Sequence, residues 1–321
     1  DLASREHIKN IIPVIQETLT RAKMKPADID LIAVTEGPGL MPALLIGVSA
    51  AKTLSLIWKK PLIGIQHIEG HIYANFIGND QEPKSNNQNS TFPLVALVVS
   101  GGHTELVLMR DHFRYEILGE TQDDAAGEAF DKVAKMLGLP YPGGPIVAQK
   151  ADSFRASRPP ITHPASSIPD FPRPMMHSDD FNFSFSGLKT AVLYFLKKHP
   201  EKIQDTSFID EVCYEFQEAV VDVLVGKTEK ALRLYAPETF VIAGGVSANT
   251  QLRNRLRNLI GTEFPKTAFL TPELRYSLDN AAMIGVAAGF RYERMDEAQR
   301  QTLQHTYLTL DPDAGLPLQN L

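Results

Sequence analysis

Three short apolar segments follow one another between residues 94 and 118, and this succession restricts the fold more than any other feature of the chain. Segments of this length and composition predict β-strands. A turn, Ser100-Gly-Gly-His-Thr104, separates the first two. A helix over about 125–137 follows the third, because an apolar periodic stretch there ends in glycine and proline. The three predicted strands are 94–99, 105–109 and 114–118.

Further along, helical and strand-like segments alternate. Residues 141–187 interrupt them with a segment rich in Pro, Ser and Phe, which we predict to be an irregular insertion. The order from residue 92 onward is therefore βββ-α-insertion-α-β-α-β-α. The predicted helices are 188–198, 208–235, 249–259 and 279–294, and the predicted strands are 240–243 and 267–270.

The first section of the chain reads helix, strand, helix, strand, and it ends in a polar linker over 79–91. If the two sections are repeats, the first lacks the three opening strands of the second. Two such halves are the organisation of the actin-like ATPase (ASKHA) fold, an α/β fold with a cleft between similar halves. We expect a truncated N-terminal half over 1–91, a second half over 92–278, and a C-terminal helix and tail over 279–321 that packs back near the cleft.

Composition sets limits on the kind of protein. A chain of 321 residues is long enough for two cores, and its single cysteine, Cys213, excludes an internal disulfide and fits the cytoplasm. The formal charge of −6 argues against a protein that coats nucleic acid. The apolar run 40–58 contains Lys52, and we interpret it as a buried core helix, not as a membrane span.

Two histidines four residues apart, His67 and His71, begin a predicted helix after the strand-like run 62–66. This spacing puts both imidazoles on one helix face, where they can bind one metal ion, although most such pairs are ordinary surface or core histidines. A zincin protease needs Glu directly after the first histidine, and Ile68 stands there. Asp279 opens the last helix, either as its N-cap or as a third ligand.

Glycine-rich turns are the candidate anion sites. Ser100–Thr104 is either a backbone cradle for phosphate or an ordinary hairpin turn, and 240–249 joins a strand to a helix start that favours anions. Asp123 and Asp124 are interpreted as caps of the helix that follows them, while Asp131 on that helix is better placed to face a ligand. Tyr141-Pro-Gly-Gly144 adds another turn that allows close approach.

Taken together and in order, these motifs resemble one family, the universal tRNA adenosine threonylcarbamoyltransferases, which are bacterial TsaD and its archaeal and eukaryotic counterparts. The match extends from the first residues to about 290. The stretches that carry it are HIEGH, VSGGHTEL, DDAAGEAFDK, YPGGP, NFSFSGLKTA, GGVSAN and LDNAAMIG.

The resemblance implies an activity and a set of site residues. The family moves a threonylcarbamoyl group from threonylcarbamoyl-AMP to N6 of adenosine 37 in tRNAs that read ANN codons, forming t6A. It implies that one Fe²⁺ or Zn²⁺ ion is held by His67, His71 and Asp279. It also implies that the adenylate is bound by Val99, Ser100, Gly101, Gly102, His103, Asp131, Gly144 and Asn249.

The same resemblance implies partners: the tRNA anticodon loop, a paralogous TsaB-like subunit and a TsaE-like ATPase, with no membrane. Family members begin with a further hairpin region that does not precede Leu2 here, and we interpret the chain as a fragment. Two alternatives stay open, a small-molecule kinase of the same superfamily and a non-catalytic scaffold subunit. We interpret the basic residues of the insertion and of the helix after GGVSAN as solvated charges; these are Arg155, Arg158, Arg173, Arg253 and Arg257.

Overall fold

A computed structural model describes residues 2–78, 91–157 and 168–320. The chain forms two compact units, one from the described residues up to 78 together with those from 279 onward, the other from those between 91 and 278. The predicted linker, apart from Thr91, lies outside the described residues. The C-terminal segment thus belongs to the same unit as the N-terminal section.

Secondary structure follows the predicted order closely. The helices are α1 (Leu2–Ala22), α2 (Met41–Trp58), α3 (His67–Tyr73), α4 (Ala126–Met136), α5 (Gly143–Ser157), α6 (Ser186–Lys198), α7 (Thr206–Tyr235), α8 (Thr250–Glu263), α9 (Leu274–Ser277), α10 (Ala281–Arg294), α11 (Glu297–Thr302) and α12 (Thr306–Thr309). The strands are β1 (Ile32–Gly37), β2 (Leu62–Gln66), β3 (Leu94–Val99), β4 (Thr104–Asp111), β5 (Arg114–Glu120), β6 (Thr239–Ala243) and β7 (Ala268–Leu270).

The first unit contains a parallel pair, β1 and β2, in which Ile32 lies opposite Leu62. All five residues of β2 are buried. Its core joins β1, β2 and α2 to Leu310 near the C-terminus. The C-terminal segment therefore completes the core of the unit in which the chain begins.

Helix α2 buries one face, where Leu44, Val48 and Ala51 recur at helical spacing. Its other face exposes Leu45 and Ile57. The prediction of a buried core helix thus holds for one face only. By length and composition α2 also qualifies as a membrane span, a test that core helices of soluble proteins pass as well.

The second unit is built on a five-stranded sheet with the order β5-β4-β3-β6-β7. Its first three strands are antiparallel, and β6 and β7 continue from β3 in parallel. This is the strand arrangement of one half of the actin-like fold, and it confirms the predicted βββ start followed by alternating helix and strand. All six residues of β3 are buried, as expected for a central strand with helices on its sheet.

The prediction of an irregular insertion over 141–187 is wrong for its first part, where α5 forms a helix of 15 residues. Val147 and Ala151 form its buried face, and α5 packs mainly on α7. The helix begins in Gly143-Gly144-Pro145, residues that usually interrupt helices, although proline is tolerated in a first turn. Residues 158–167 lie outside the described part of the chain.

Glu105 on β4 lies directly opposite Glu120 on β5 and is buried. Burial, with the negative charge of Glu120, raises the pKa of Glu105 to about 7. Between pH 4.5 and 7 the folded protein thus holds a proton that the unfolded chain releases, so the free energy of unfolding falls as pH rises through this window.

We expect Glu105→Gln to lack this decline. The free energy of unfolding of Glu105→Gln minus that of the wild type should rise by about 2–3 kcal/mol from pH 4.5 to pH 8, as measured by urea denaturation. Glu116→Gln, which removes an exposed carboxylate from the same strand pair, is the control and should keep the wild-type dependence. Identical pH profiles for Glu105→Gln and the wild type would contradict the assignment.

Candidate functional site

Helix α3 starts directly where β2 ends, so His67 is the first residue of the helix. The side chain of Gln66 caps it by accepting a hydrogen bond from Glu69 N at 2.9 Å. His67 and His71 then lie one turn apart, with ring centroids 4.6 Å apart in an edge-on arrangement. The predicted convergence of the two imidazoles is therefore present.

Asp279 is the third member of this cluster. Its alternative role, the N-cap of α10, belongs to the neighbouring residue. Asn280 caps α10 by accepting a hydrogen bond from Met283 N at 2.9 Å. Asp279 Oδ1 lies 3.5 Å from His67 Nε2 and 3.2 Å from His71 Nε2. One donor atom from each residue lies within 4.8 Å of the others.

The protonation of this cluster favours a cation. Burial lowers the pKa of His71, which keeps the imidazole neutral and able to donate a lone pair. Hydrogen bonds from His67 and His71 hold the pKa of Asp279 well below its usual range, so its carboxylate is charged. Two imidazoles and one carboxylate are a donor set that suits Fe²⁺ and Zn²⁺.

The burial of the cluster also fits a metal ion. The side chain of His71 is 1% exposed, and among the described residues its Nδ1 has no hydrogen-bond partner. Burying an imidazole whose only polar neighbour is a carboxylate at Nε2 costs free energy unless a further ligand binds the ring. The Asp279 side chain is 80% exposed, which leaves room for a second ligand on the solvent side.

Sequence reasoning missed the residues that support this cluster. Glu69, between the two histidines, is buried and pairs with Arg291 on α10 at 2.6 Å. A Cβ atom on Gly70 would lie 2.7 Å from Ile284 Cδ1, so glycine is what allows α3 to approach α10. The sequence shows Glu69 and Gly70 between the histidines, but it does not show which residues of α10 they contact.

The second unit contains a cavity of about 750 Å³, within the range of small-ligand sites. Four of the residues implied to bind adenylate line it: Gly101, Asp131, Gly144 and Asn249. The cavity wall also includes Gly127, Gly245 and Val246, which were not singled out individually. A glycine-lined wall lets backbone N–H groups come close to a ligand.

The other four implied residues belong to the turn itself and the end of β3. Ser100 N donates to His103 O at 2.8 Å, and His103 N donates to Ser100 Oγ at 3.1 Å, which closes the hairpin between β3 and β4. Gly101 and Gly102 have open space where a Cβ atom would be. Val99 is buried in the sheet. The turn is thus a closed hairpin, and its Gly101 lines the cavity.

Two cavity residues already serve the local structure. Asp131 Oδ1 accepts a hydrogen bond from Gly143 N at 2.8 Å, which fixes the start of α5. Asn249 caps α8 through its Oδ1, and its Nδ2 donates to Gln217 Oε1 at 2.7 Å. Both side chains are held in place before any ligand binds.

Asp123 and Asp124 do not cap α4, contrary to the prediction. Asp123 Oδ1 accepts from the backbone N–H groups of Phe185 and Ser186, at the start of α6. Asp124 pairs with two lysines, Lys132 and Lys189. The first N–H of α4 is satisfied instead by Thr104 Oγ1, 22 positions earlier in the chain.

The interpretation of the arginines as solvated charges is wrong for Arg253, which is half-buried. Its guanidinium donates to Ser247 O, and at 3.0 Å to both Pro272 O and Ser277 Oγ, so it ties the turn after β6 to α9. Arg158 lies outside the described residues. The others pair within the chain: Arg155 with Asp152 and Glu218, Arg173 with Asp222, and Arg257 with Asn254.

The sheet order and the two sites define a class, an actin-like α/β protein with a candidate metal centre in one unit and a ligand-sized cavity in the other. A sequence model of the family described as TsaD, tRNA N6-adenosine threonylcarbamoyltransferase, matches residues 1–286. The chain belongs to this family.

Curated relatives with that name cover nearly all of the chain. The enzyme from Staphylococcus carnosus is 44% identical over 97% of this chain and 84% of its own length. The enzyme from Bacillus licheniformis is 46% identical over 92% of this chain and 80% of its own length. The enzyme from Bacillus subtilis is 46% identical over 92% of this chain and 79% of its own length.

Gly127 offers a direct test of the cavity wall. A Cβ atom there would lie 2.5 Å from Ser100 O and 2.9 Å from Gly101 Cα, both of them backbone atoms. Gly127→Ala should therefore displace the Ser100–Thr104 turn and weaken binding of AMP by about 10- to 100-fold in calorimetric titration. Gly261→Ala on α8, where no atom lies within 4 Å, should bind AMP like the wild type. Equal affinity in both variants would exclude this turn from the nucleotide site.

Proposed function

We propose that this protein transfers the threonylcarbamoyl group from threonylcarbamoyl-AMP to N6 of adenosine 37 in tRNAs that read ANN codons. The observation that carries the proposal is the match to the transferase family over residues 1–286. The convergence of His67, His71 and Asp279 supports it. A scaffold or kinase role needs no such cluster, and the curated relatives carry the transferase name.

The proposed metal centre uses His67, His71 and Asp279 to hold one Fe²⁺ or Zn²⁺ ion per subunit. Such an ion supplies Lewis-acid stabilisation of negative charge on the threonylcarbamoyl group. The chain itself contributes a neutral His71 and a charged Asp279. At neutral pH neither residue has to lose a further proton before it binds the ion. The exposed side of Asp279 gives the substrate access.

The proposed adenylate site is the cavity of the second unit, with the turn Val99–His103 and with Asp131, Gly144 and Asn249. In the reaction, the N6 amine of adenosine forms a C–N bond to the carbamoyl carbon while the bond from that carbon to the AMP phosphate oxygen breaks. The amine gives up one proton to water, and AMP leaves with the electron pair of the broken bond as negative charge. Since the mixed anhydride is already activated, fixing the adenylate in position supplies a large part of the rate.

We also propose the partners and the compartment. A tRNA anticodon loop offers unstacked bases and backbone charge for recognition, and the family implies a TsaB-like subunit and a TsaE-like ATPase. A tRNA substrate and a single, buried Cys213 both fit the cytoplasm.

His71→Ala tests the activity and the metal centre on the same sample. With threonylcarbamoyl-AMP, an ANN-reading tRNA and the partner subunits supplied, t6A formation should fall roughly 100-fold or more, because a buried metal ligand is lost. Bound iron and zinc, measured by elemental analysis, should fall with it. Nucleoside mass spectrometry provides the activity measurement.

His305→Ala is the matched control, since His305 is an exposed histidine of the same unit. It should retain both metal and t6A formation. Undiminished t6A formation by a metal-free His71→Ala sample would refute the metal centre. A folded, metal-loaded wild type that forms no t6A with all partners present would refute the transferase activity.

A further inference from the structure

The three proposed metal ligands come from two separate elements of the first unit. His67 and His71 belong to α3, and Asp279 lies two residues before the start of α10. Their distances therefore depend on how α3 is held against α10. A small rotation of α3 about its axis would move the two imidazole rings away from the carboxylate.

Among the described residues, the His71 ring meets a polar protein group only at Nε2, where Asp279 Oδ1 lies 3.2 Å away. Metal-binding histidines usually donate their second N–H to a carboxylate, a carbonyl or a water, which sets the ring orientation. Within the described parts of the chain, no protein group pairs with His71 Nδ1. The placement of the helix that carries this ring therefore contributes to its orientation.

Apolar contacts bring the two helices together. Gly70 faces Met283 and Ile284, and a Cβ atom at Gly70 would lie 3.3 Å from Met283 Cγ. At the other end of α3, the rings of Tyr73 and Phe290 pack with centroids 5.3 Å apart. Such contacts have little directionality, and they permit rotation and sliding.

A buried ion pair gives the contact between α3 and α10 the directionality that the apolar contacts lack. Glu69 lies between the two histidines and is fully buried, and its Oε2 accepts from Arg291 Nη2 at 2.6 Å. The Arg291 side chain is 13% exposed. Desolvation largely cancels the Coulomb gain of such a pair, so an apolar pair of similar size would stabilise the fold about as well. What a planar guanidinium and a carboxylate provide in addition is a fixed geometry.

We propose that the Glu69–Arg291 ion pair is a positioning device that fixes the rotation of α3 on α10, so that His67, His71 and Asp279 converge on one metal ion. Neither residue belongs to the ligand cluster found among the described residues. The inference rests on the proposed metal centre. It predicts that the pair controls metal affinity and coordination geometry separately from stability.

The test uses Co²⁺, whose visible absorption reports its coordination geometry, as the metal added to the metal-free full chain. Arg291→Met keeps an unbranched apolar stem and removes the guanidinium with its charge. We expect a 10- to 100-fold loss of Co²⁺ affinity, the size typical of changes around metal ligands, together with an altered spectrum. Arg291→Lys keeps the charge without the planar fork, and its affinity should lie between those of Arg291→Met and the wild type.

A double variant separates positioning from stability. Arg291→Met alone removes the positive charge beside the buried Glu69 carboxylate and lowers the melting temperature. Glu69→Gln with Arg291→Met removes both charges, so the melting temperature should recover toward the wild-type value. The Co²⁺ affinity should stay low, because the directional contact is still missing.

Lys227→Met is the matched control in the other unit. Lys227 is fully buried on α7 and donates to Ser178 Oγ at 2.7 Å and to Asp180 O at 2.8 Å. Its loss should lower the melting temperature as the loss of Arg291 does. It should leave the Co²⁺ affinity and spectrum of the wild type unchanged.

The outcomes separate the inference from the metal centre on which it rests. A wild type that binds no Co²⁺ at His67, His71 and Asp279 overturns both. A wild type that binds Co²⁺, with Arg291→Met showing the same affinity and spectrum, overturns the inference and leaves the metal centre standing. Recovery of affinity together with stability in the double variant also overturns it, since the pair would then have a structural role alone.

Discussion

Helix α3 lies so close to α10 at Gly70 that a single added carbon would collide with Ile284. The packing of α3 on α10 is the constraint on which the candidate metal cluster depends. It brings the helix that carries two histidines to the segment that carries Asp279, and it buries Glu69 beside Arg291. A short helix of seven residues has little stability of its own, so its position is set almost entirely by these contacts and by its Gln66 cap.

In the second unit a glycine also allows two elements to approach closely, here beside the cavity. Gly127 lets the first turn of α4 approach the turn between β3 and β4, and its N–H donates to Ser100 O at 3.2 Å. One wall of the cavity is thus formed by two backbone segments in direct contact, and Asp131 fixes the neighbouring turn at Gly143. A site made this way is formed before its ligand arrives, which lowers the entropy cost of binding.

Much of the fold and part of the site could be predicted from local patterns. The continuous apolar run of β3 and the two strands after it predicted the sheet start, and the spacing of His67 and His71 predicted their convergence. The helix α5 was missed because two glycines and a proline open it. The roles of Asp279 and Asn280 depend on which of two adjacent side chains caps α10, and sequence alone does not decide that. Arg291 is 222 positions from Glu69, so no local pattern connects them.

The division of the chain has a consequence for biosynthesis. The second unit is one continuous stretch, whereas the first is completed only by residues from Asp279 onward. During translation β1, β2 and α3 are synthesised early, but their packing is completed only after α10 has been synthesised. Two of the three candidate metal ligands are therefore exposed on an incomplete unit throughout synthesis of the second. Binding by all three candidate ligands becomes possible only after Asp279 has been synthesised, so the candidate metal centre can form only once the whole second unit has been made.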